Sequence, residues 1–150
     1  MSTLPRVLLV EDSLLDAELT LATLVEQRVA NEVVHVRDGA EALDYLHRRG
    51  LFAGRANEPP VVVLLDLRMP RVDGLEVLRH MKTDPELKVI PVVMMTSSRE
   101  ERDLVDSYQI GVNAYVVKPP QFGELVSAIT KAGASLALLG DAPQDLRAPV

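Results

Sequence analysis

The chain has 150 residues, 47% hydrophobic and 25% charged, which is enough for one domain with a sizeable core. Its 22 acidic and 16 basic residues leave a net charge of -6, which argues against a protein that binds the phosphate backbone of nucleic acids. No cysteine is present, which excludes disulfides, thiolate metal sites and a cysteine nucleophile. We see no signal peptide and no apolar run near the roughly 20 residues of a membrane span, so we expect a cytoplasmic protein without membrane contact.

Short valine-rich runs alternate with longer segments of helical period, a pattern typical of βαβ units around a parallel sheet. In chain order, the predicted strands cover residues 7–10, 33–36, 61–65, 90–95 and 114–117. The predicted helices cover residues 13–28, 39–49, 74–82, 99–109 and 121–137. The alternation predicts a doubly wound α/β domain with its five strands in the order 2-1-3-4-5.

The predicted elements make up one domain over residues 1–139. Residues 49–60 contain two glycines and two prolines and are expected to form an exposed loop. Residues 140–150 carry two prolines and are expected to form a flexible tail.

Polar side chains stand at the ends of four predicted strands. Glu11 and Asp12 follow the first strand, Asp66 the third, Thr96 the fourth and Lys118 the fifth. Ligands of open parallel sheets bind beyond the carboxyl ends of the strands, where the order of the strands reverses. The first and third strands are neighbours at that point, so their three carboxylates are predicted to share a small space.

Three crowded carboxylates repel one another unless a cation neutralises them. Oxygen ligands alone favour a hard ion, and we predict Mg²⁺. Asp66 follows a continuous apolar run of five residues and is the best candidate for a nucleophile that attacks phosphorus and forms an aspartyl phosphate. Lys118 would supply a second positive charge to the phosphoryl oxygens, and Thr96 a hydrogen bond.

Plainer interpretations stand beside these. Asp12 could serve only as the N-cap of the first helix. Thr96 and Ser97 could cap the fourth helix, with Glu100 completing a capping box. Lys118 precedes two prolines, which stiffen the backbone that aims its charge. The three histidines are interpreted as ordinary, half-exposed residues away from the site: His35, His47 and His80.

Four segments together resemble the receiver domain of two-component response regulators, over residues 6–131. They are VLLVEDS at 7–13, LLDLRMP at 64–70 with DG at 73–74, MTS at 95–97, and GVNAYVVKP at 111–119. The resemblance implies a flavodoxin-like (βα)5 receiver fold. It also implies a protein that is not an enzyme toward outside metabolites, because a receiver catalyses only its own phosphorylation and dephosphorylation.

The resemblance also assigns roles to residues. Asp66 accepts the phosphoryl group from the phosphohistidine of a sensor histidine kinase, and Thr96 and Lys118 bind that group. Glu11, Asp12 and Asp66 hold Mg²⁺ together with the backbone carbonyl of Arg68. Tyr115 is the switch aromatic that turns inward when Thr96 moves, although from its pattern alone it could be a half-buried strand residue. The chain departs from the family at Glu11, where Asp is commoner, and at Pro120, which follows the usual Lys-Pro; a cis Lys118–Pro119 bond is expected.

The chain is similar to small stand-alone regulators that are paired with phytochrome-type kinases, so we expect a bacteriophytochrome kinase as partner. No DNA-binding domain follows, so the output would pass through a surface to an unknown downstream protein. We expect a homodimer or partner contact from three late leucines, with packing onto the same chain as the alternative: Leu136, Leu138 and Leu139. The alternative function is a small Mg²⁺-dependent phosphohydrolase with an aspartyl nucleophile. This alternative is disfavoured because Arg68 occupies the position where such enzymes have a second Asp.

The first predicted helix is apolar over a wider arc than a surface helix needs. Its core stripe is predicted to consist of Leu14, Ala17, Leu21, Leu24 and Val25. Leu15, Leu19 and Ala22 form a second flank, interpreted as a docking surface for the kinase or as extra core contact.

Overall fold

The computed structural model describes residues 6–54, 58–69 and 71–139. Five strands alternate with five helices along this part of the chain, and a short 3-10 turn, Gly50–Phe52, follows the second helix. The elements are β1 (Val7–Val10), α1 (Leu14–Glu26), β2 (Val33–Val36), α2 (Gly39–His47), β3 (Val62–Asp66), α3 (Gly74–Thr83), β4 (Val92–Thr96), α4 (Arg99–Ser107), β5 (Ala114–Val117) and α5 (Phe122–Lys131). All strand pairs are parallel, and the order β2-β1-β3-β4-β5 confirms the prediction.

The three central strands are buried along their whole length, which explains why their sequences are continuous apolar runs. Their register is level: Val10 lies beside Leu65, and Leu65 beside Met94. Consequently the residues that follow these strands emerge together at one edge of the sheet.

Two apolar clusters cover the two faces of the sheet. On one face, residues of α2, α3 and α4 pack against alternate strand residues such as Leu8 and Leu65. On the other face, residues of α1 and α5 pack against Leu9 and Leu64. Helices on both faces are the defining feature of a doubly wound fold.

The starts of α1 and α4 exclude two of the plainer interpretations. The α1 N-cap is Ser13, whose Oγ accepts a hydrogen bond from the Asp16 N–H, so Asp12 is not the cap. The α4 N-cap is Ser98, whose Oγ accepts from the Glu101 N–H. A capping box of Thr96 or Ser97 with Glu100 is therefore wrong. The cap lies one residue further along the chain than Ser97, because Thr96 is still part of β4.

The prediction that the last helix continues to residue 137 is wrong. The helix ends at Lys131, and Gly133 adopts a left-handed φ of 95°. The N–H of Gly133 donates to the Thr130 carbonyl and the N–H of Ala134 to the Ile129 carbonyl, which is a Schellman ending.

The chain beyond α5 then packs back onto the segment between α1 and β2. Leu138 forms an antiparallel bridge with Val29, and Leu136 packs against the cluster beneath α1 and α5. Leu139 is exposed, although its N–H donates to the Arg28 carbonyl. Packing onto the same chain, the alternative for these leucines, therefore describes Leu136 and Leu138, whereas the side chain of Leu139 faces solvent. Residues 140–150 lie outside the described part of the chain.

The stripe predicted for α1 also needs correction. Ala17, Thr20 and Leu24 form its buried face, whereas Leu14 and Val25 are exposed. Val25 lies one residue further round the helix than Leu24, so it faces away from the sheet.

The predicted loop over residues 49–60 is partly folded: the 3-10 turn places Phe52 edge-on against Tyr45, and residues 55–57 are outside the described ranges. Within the described ranges, no helix has the length and apolar character needed to cross a bilayer.

Candidate functional site

Three carboxylates converge beyond the ends of β1 and β3, as the strand order predicts. Glu11, Asp12 and Asp66 each offer an oxygen, and these oxygens lie within 4.8 Å of one another. Glu11 is fully buried and Asp66 is only 4% exposed, while Asp12 lies closer to solvent. Ordinary folding does not favour two buried carboxylates in contact, so this arrangement needs a compensating positive charge.

Among the described residues, Lys118 supplies the positive charge that compensates these carboxylates. Its Nζ lies 3.1 Å from Asp66 Oδ1, 3.2 Å from Glu11 Oε1 and 3.1 Å from Asp16 Oδ2. Burial works against the charge of this side chain, but Asp66 and Glu11 outweigh that effect and raise the pKa of Lys118 above its ordinary value. One ammonium therefore holds together carboxylates from three segments of the chain. The cis Lys118–Pro119 bond, also predicted, follows directly.

The surroundings of Asp66 disfavour its ionised form. Burial and the neighbouring Glu11 raise the pKa of Asp66 to about 7, against the opposing effect of Lys118. A divalent cation beside Asp66 would lower the pKa again, because it would stabilise the ionised form of the carboxylate.

The Thr96 hydroxyl has no hydrogen-bond partner among the described residues. Its Oγ1 is buried, whereas the Thr96 carbonyl accepts from the Lys118 N–H at 2.8 Å. A buried hydroxyl without a partner costs free energy, so its retention at a strand end points to a group that is bound there at another stage.

The start of α3 lies unusually close to the end of β3. A Cβ at Gly74 would lie only 2.1 Å from the Asp66 carbonyl oxygen, so the absence of a side chain lets the helix approach. The Gly74 N–H donates to the Leu67 carbonyl, and Asp73 caps the helix through its contact with the Glu76 N–H. This close packing fixes the backbone around Asp66.

Two contacts of the site escaped prediction. Asp16, in the first turn of α1, binds Lys118, and His35 Nε2 lies 2.7 Å from the Glu11 carbonyl oxygen. The interpretation of His35 as a residue away from this end is therefore wrong. A signal for it was available, since β2 lies beside β1 and His35 stands one residue before the end of its strand.

Arg68 and Glu101 form an ion pair beside the site. The Arg68 Nε donates to Glu101 Oε2 at 2.5 Å, which joins the loop after β3 to α4. Glu101 also accepts from the Ser97 N–H at 2.7 Å. The described contacts of Arg68 involve its side chain, and the role predicted for its backbone carbonyl stays a prediction.

Tyr115 lies on β5 beside α4. Its hydroxyl donates to Asp106 Oδ1, and the Arg102 guanidinium lies 4.9 Å from the centre of its ring. Burial, followed by the contact with Asp106, raises the pKa of Tyr115 above its ordinary value, so the phenol stays protonated. The ring is half-buried against the cluster beneath α2, α3 and α4, with its hydroxyl held by α4.

The donor set suits a divalent cation. All the donors that the cluster offers are carboxylate oxygens, two of them buried, and no sulfur or imidazole nitrogen belongs to it. Hard cations such as Mg²⁺ prefer oxygen ligands, and the raised pKa of Asp66 and the partnerless Thr96 hydroxyl both fit a site that is completed by bound charge. The residues present therefore fit such an ion.

Comparisons with known proteins agree with this geometry. The family model described as response regulator receiver domain matches residues 7–130. The chain is 39% identical to the response regulator Rcp1 of Synechocystis sp. over 124 residues, 82% of each protein. The solved bacteriophytochrome response regulator AtBRR is 55% identical, with a TM-score of 0.88 over 92% of this chain and 99% of that one. A Mn(2+)-bound form of Rcp1 is 36% identical, with a TM-score of 0.69 over 87% of this chain and 91% of that one.

Proposed function

Because the chain belongs to the response regulator receiver domain family of two-component signalling, we propose that Asp66 accepts a phosphoryl group from a sensor histidine kinase. Receiver domains accept such groups from the phosphohistidine of their kinases and are generally not classical enzymes. The observation that carries the proposal is the buried Asp66 carboxylate, 3.1 Å from the Lys118 ammonium and clustered with Glu11 and Asp12. The resemblance to AtBRR supports a bacteriophytochrome kinase as the donor.

Asp66 supplies the attacking atom in the proposed reaction. One of its carboxylate oxygens attacks phosphorus, an O–P bond forms, and the P–N bond of the phosphohistidine breaks. The imidazole leaves with a proton taken from water. Lys118 is placed to bind one phosphoryl oxygen, and the partnerless Thr96 hydroxyl to donate to another.

The proposed cation is Mg²⁺, held by Glu11, Asp12 and Asp66 with the backbone carbonyl of Arg68. It would offset negative charge on the carboxylates and on the phosphoryl oxygens. The solved Mn(2+)-bound form of the relative Rcp1 supports the proposal that this chain also binds a divalent ion.

We further propose that phosphorylation is communicated through Thr96 and Tyr115. A Thr96 hydroxyl that donates to the phosphoryl group would move toward Asp66. The Tyr115 hydroxyl would then lose its hydrogen bond to Asp106, and the ring would turn inward. Because Asp106 and Arg102 lie on α4, the change would alter the α4 surface that a downstream protein meets.

Labelling with a small phosphodonor tests the proposal. With acetyl phosphate and Mg²⁺, the chain should take up one acid-stable, base-labile phosphate, and Asp66→Asn should abolish it. Asp103→Asn, which changes an exposed aspartate of α4, is the matched control and should label like the wild type. Equal labelling of Asp66→Asn and wild type would refute the assignment of Asp66.

The phosphohydrolase alternative has less support. Arg68, which occupies the position of the second aspartate in such enzymes, is engaged with Glu101. The same experiment separates the two functions, because a hydrolase would release many phosphates per chain rapidly, whereas a receiver would hold one phosphate per chain and release it slowly.

The exposed leucines of α1 support kinase docking beside the site. Leu15 is 66% exposed and Leu19 44% exposed, on the helix that begins next to Glu11 and Asp12. Leu15→Asp should therefore slow transfer from a bacteriophytochrome kinase and leave acetyl phosphate labelling unchanged. If both reactions, or neither, slow in this variant, α1 is not a docking surface for the kinase.

A further inference from the structure

A second cluster of ligand atoms lies away from the carboxylates and is formed by two histidines and an aspartate. His47 ends α2, His80 is in the last turn of α3, and Asp84 is the C-cap of α3. One ligand atom from each residue lies within 4.8 Å of the other two. The sequence gives no hint of this cluster, because 33 residues separate the two histidines.

The two imidazoles face each other through their Nε2 atoms. These nitrogens are 2.7 Å apart, and the ring planes are inclined at 85°. One nitrogen must donate a proton and the other accept it, so at least one of the two rings is neutral. Metals bind the lone pair of neutral histidine, so the accepting Nε2 can bind an ion directly, and the donating Nε2 can bind the same ion once its proton has moved to Nδ1.

Asp84 adds a negative charge to the pair. Its Oδ1 accepts hydrogen bonds from the N–H groups of Glu86 and Leu87, at 2.8 and 3.1 Å. These bonds lower the pKa of Asp84, so the carboxylate is ionised at neutral pH, and they fix its orientation. Supporting hydrogen bonds of this kind are what position a carboxylate ligand.

The cluster borders a cavity of about 180 Å³, which is large enough for an ion and a water ligand. His47 and Asp84 line it, together with the apolar Leu87 and Ile90. Arg48 lines the same cavity and brings a positive charge, which the exposed Glu86 on the same lining offsets.

We propose that His47, His80 and Asp84 bind a divalent transition metal ion such as Zn²⁺. Two nitrogens and one carboxylate oxygen, with water as the fourth ligand, make a common tetrahedral zinc set, and the hard Mg²⁺ is a poor match for imidazole. A tetrahedral zinc ion would place the two nitrogens about 3.3 Å apart, so the rings need to separate by about half an ångström. Both side chains are partly exposed and can make that movement.

The proposed site lies at the edge of the sheet where the strands begin. Lys82, in the last turn of α3, contacts the Asn113 side chain, which also accepts from the N–H of Val92 at the start of β4. Asp66 stands at the opposite end of its strand, so the two cation sites can be separated by experiment. The ion would join the ends of α2 and α3.

The test uses the chain without a polyhistidine tag, with excess Mg²⁺ to keep zinc from the carboxylates around Asp66. Competition with a chromophoric chelator should give one Zn²⁺ per chain. His47→Ala and His80→Ala should each weaken binding at least about tenfold, as expected for the loss of a ligand. His35→Gln, at the third histidine of the chain, and Asp66→Asn should bind zinc as the wild type does.

Nuclear magnetic resonance of the wild type keeps the proposal testable if a variant does not fold. Zinc should shift the ring signals of His47 and His80 together and leave those of His35 unchanged. Zinc binding that survives in both alanine variants, that disappears in Asp66→Asn, or that shifts His35 alone would overturn the proposal. Failure here would not touch the proposed phosphorylation, because neither histidine belongs to that site.

Discussion

Replacement of the buried Asp66 by asparagine should stabilise the fold in the absence of Mg²⁺, and increasingly so as the pH rises. Burial and Glu11 raise the pKa of this carboxyl from 3.8 to about 7. Between these values the folded chain binds more protons than the unfolded chain. The free energy of unfolding of the wild type therefore falls as the pH rises through that window. Asparagine does not titrate, so the variant lacks this loss.

The size of the effect follows from the pKa and the pH interval. At about 1.4 kcal/mol per pKa unit, linkage between about pH 5 and about pH 8 costs the wild type up to roughly 2.5 kcal/mol. Asp66 is almost fully buried, so solvent screens little of this cost. The favourable effect of Lys118 on the ionised carboxylate is already contained in the pKa of about 7, so it is not counted a second time.

Urea denaturation followed by far-ultraviolet circular dichroism measures the effect, since the chain has no tryptophan. The difference between Asp66→Asn and wild type should grow by about 1 to 2.5 kcal/mol from the lower to the higher pH. Mg²⁺ should shrink it by stabilising the wild type alone. The exposed control Asp103→Asn should show no such trend. A difference that stays constant with pH would refute the conclusion that Asp66 is destabilised by its surroundings.

Three further substitutions test the packing and charge of the site. Lys118→Gln removes the ammonium that the carboxylates share and should cost about 3 kcal/mol in urea denaturation, partly restored by Mg²⁺. Thr96→Val removes the partnerless hydroxyl and should stabilise the chain by about 1 kcal/mol. In this variant the hydrogen exchange of α4 should no longer respond to acetyl phosphate, and an unchanged response would contradict the proposed switch. Gly74→Ala places a Cβ 2.1 Å from the Asp66 carbonyl oxygen and should destabilise by at least about 2 kcal/mol, whereas Gly123→Ala, in open space, should be neutral or stabilising by up to about 1 kcal/mol. Equal stability of the two glycine variants would show that α3 can shift away from β3.

The strands and the carboxylate cluster could be predicted because local pattern determines both. Buried parallel strands are short apolar runs, and whatever follows them must emerge at one edge of the sheet. Glu11, Asp66 and Lys118 therefore meet although 107 residues separate the first from the last.

Other features depend on how elements pack, which no local pattern records. Asp16 reaches Lys118 only because α1 turns that face toward the site. His47 and His80 meet because α2 and α3 lie side by side at the proper height on one face of the sheet. The early end of α5 had a local signal in Gly133, but the apolar residues that follow mimic a continuing helix.

The charges of the site explain why a cation and a phosphoryl group would bind in sequence. Among the described residues, Lys118 pairs with Glu11, Asp16 and Asp66, and Asp12 adds a fourth carboxylate to the cluster, which leaves a formal charge of -3 when all are ionised. A phosphoryl group brings further negative charge and would be repelled from this cluster. A divalent cation would lower the charge to -1 and stabilise ionised Asp66, the form proposed to attack phosphorus. The excess of carboxylates would therefore make the proposed phosphorylation depend on Mg²⁺, so a chelator should suppress acetyl phosphate labelling as completely as Asp66→Asn does.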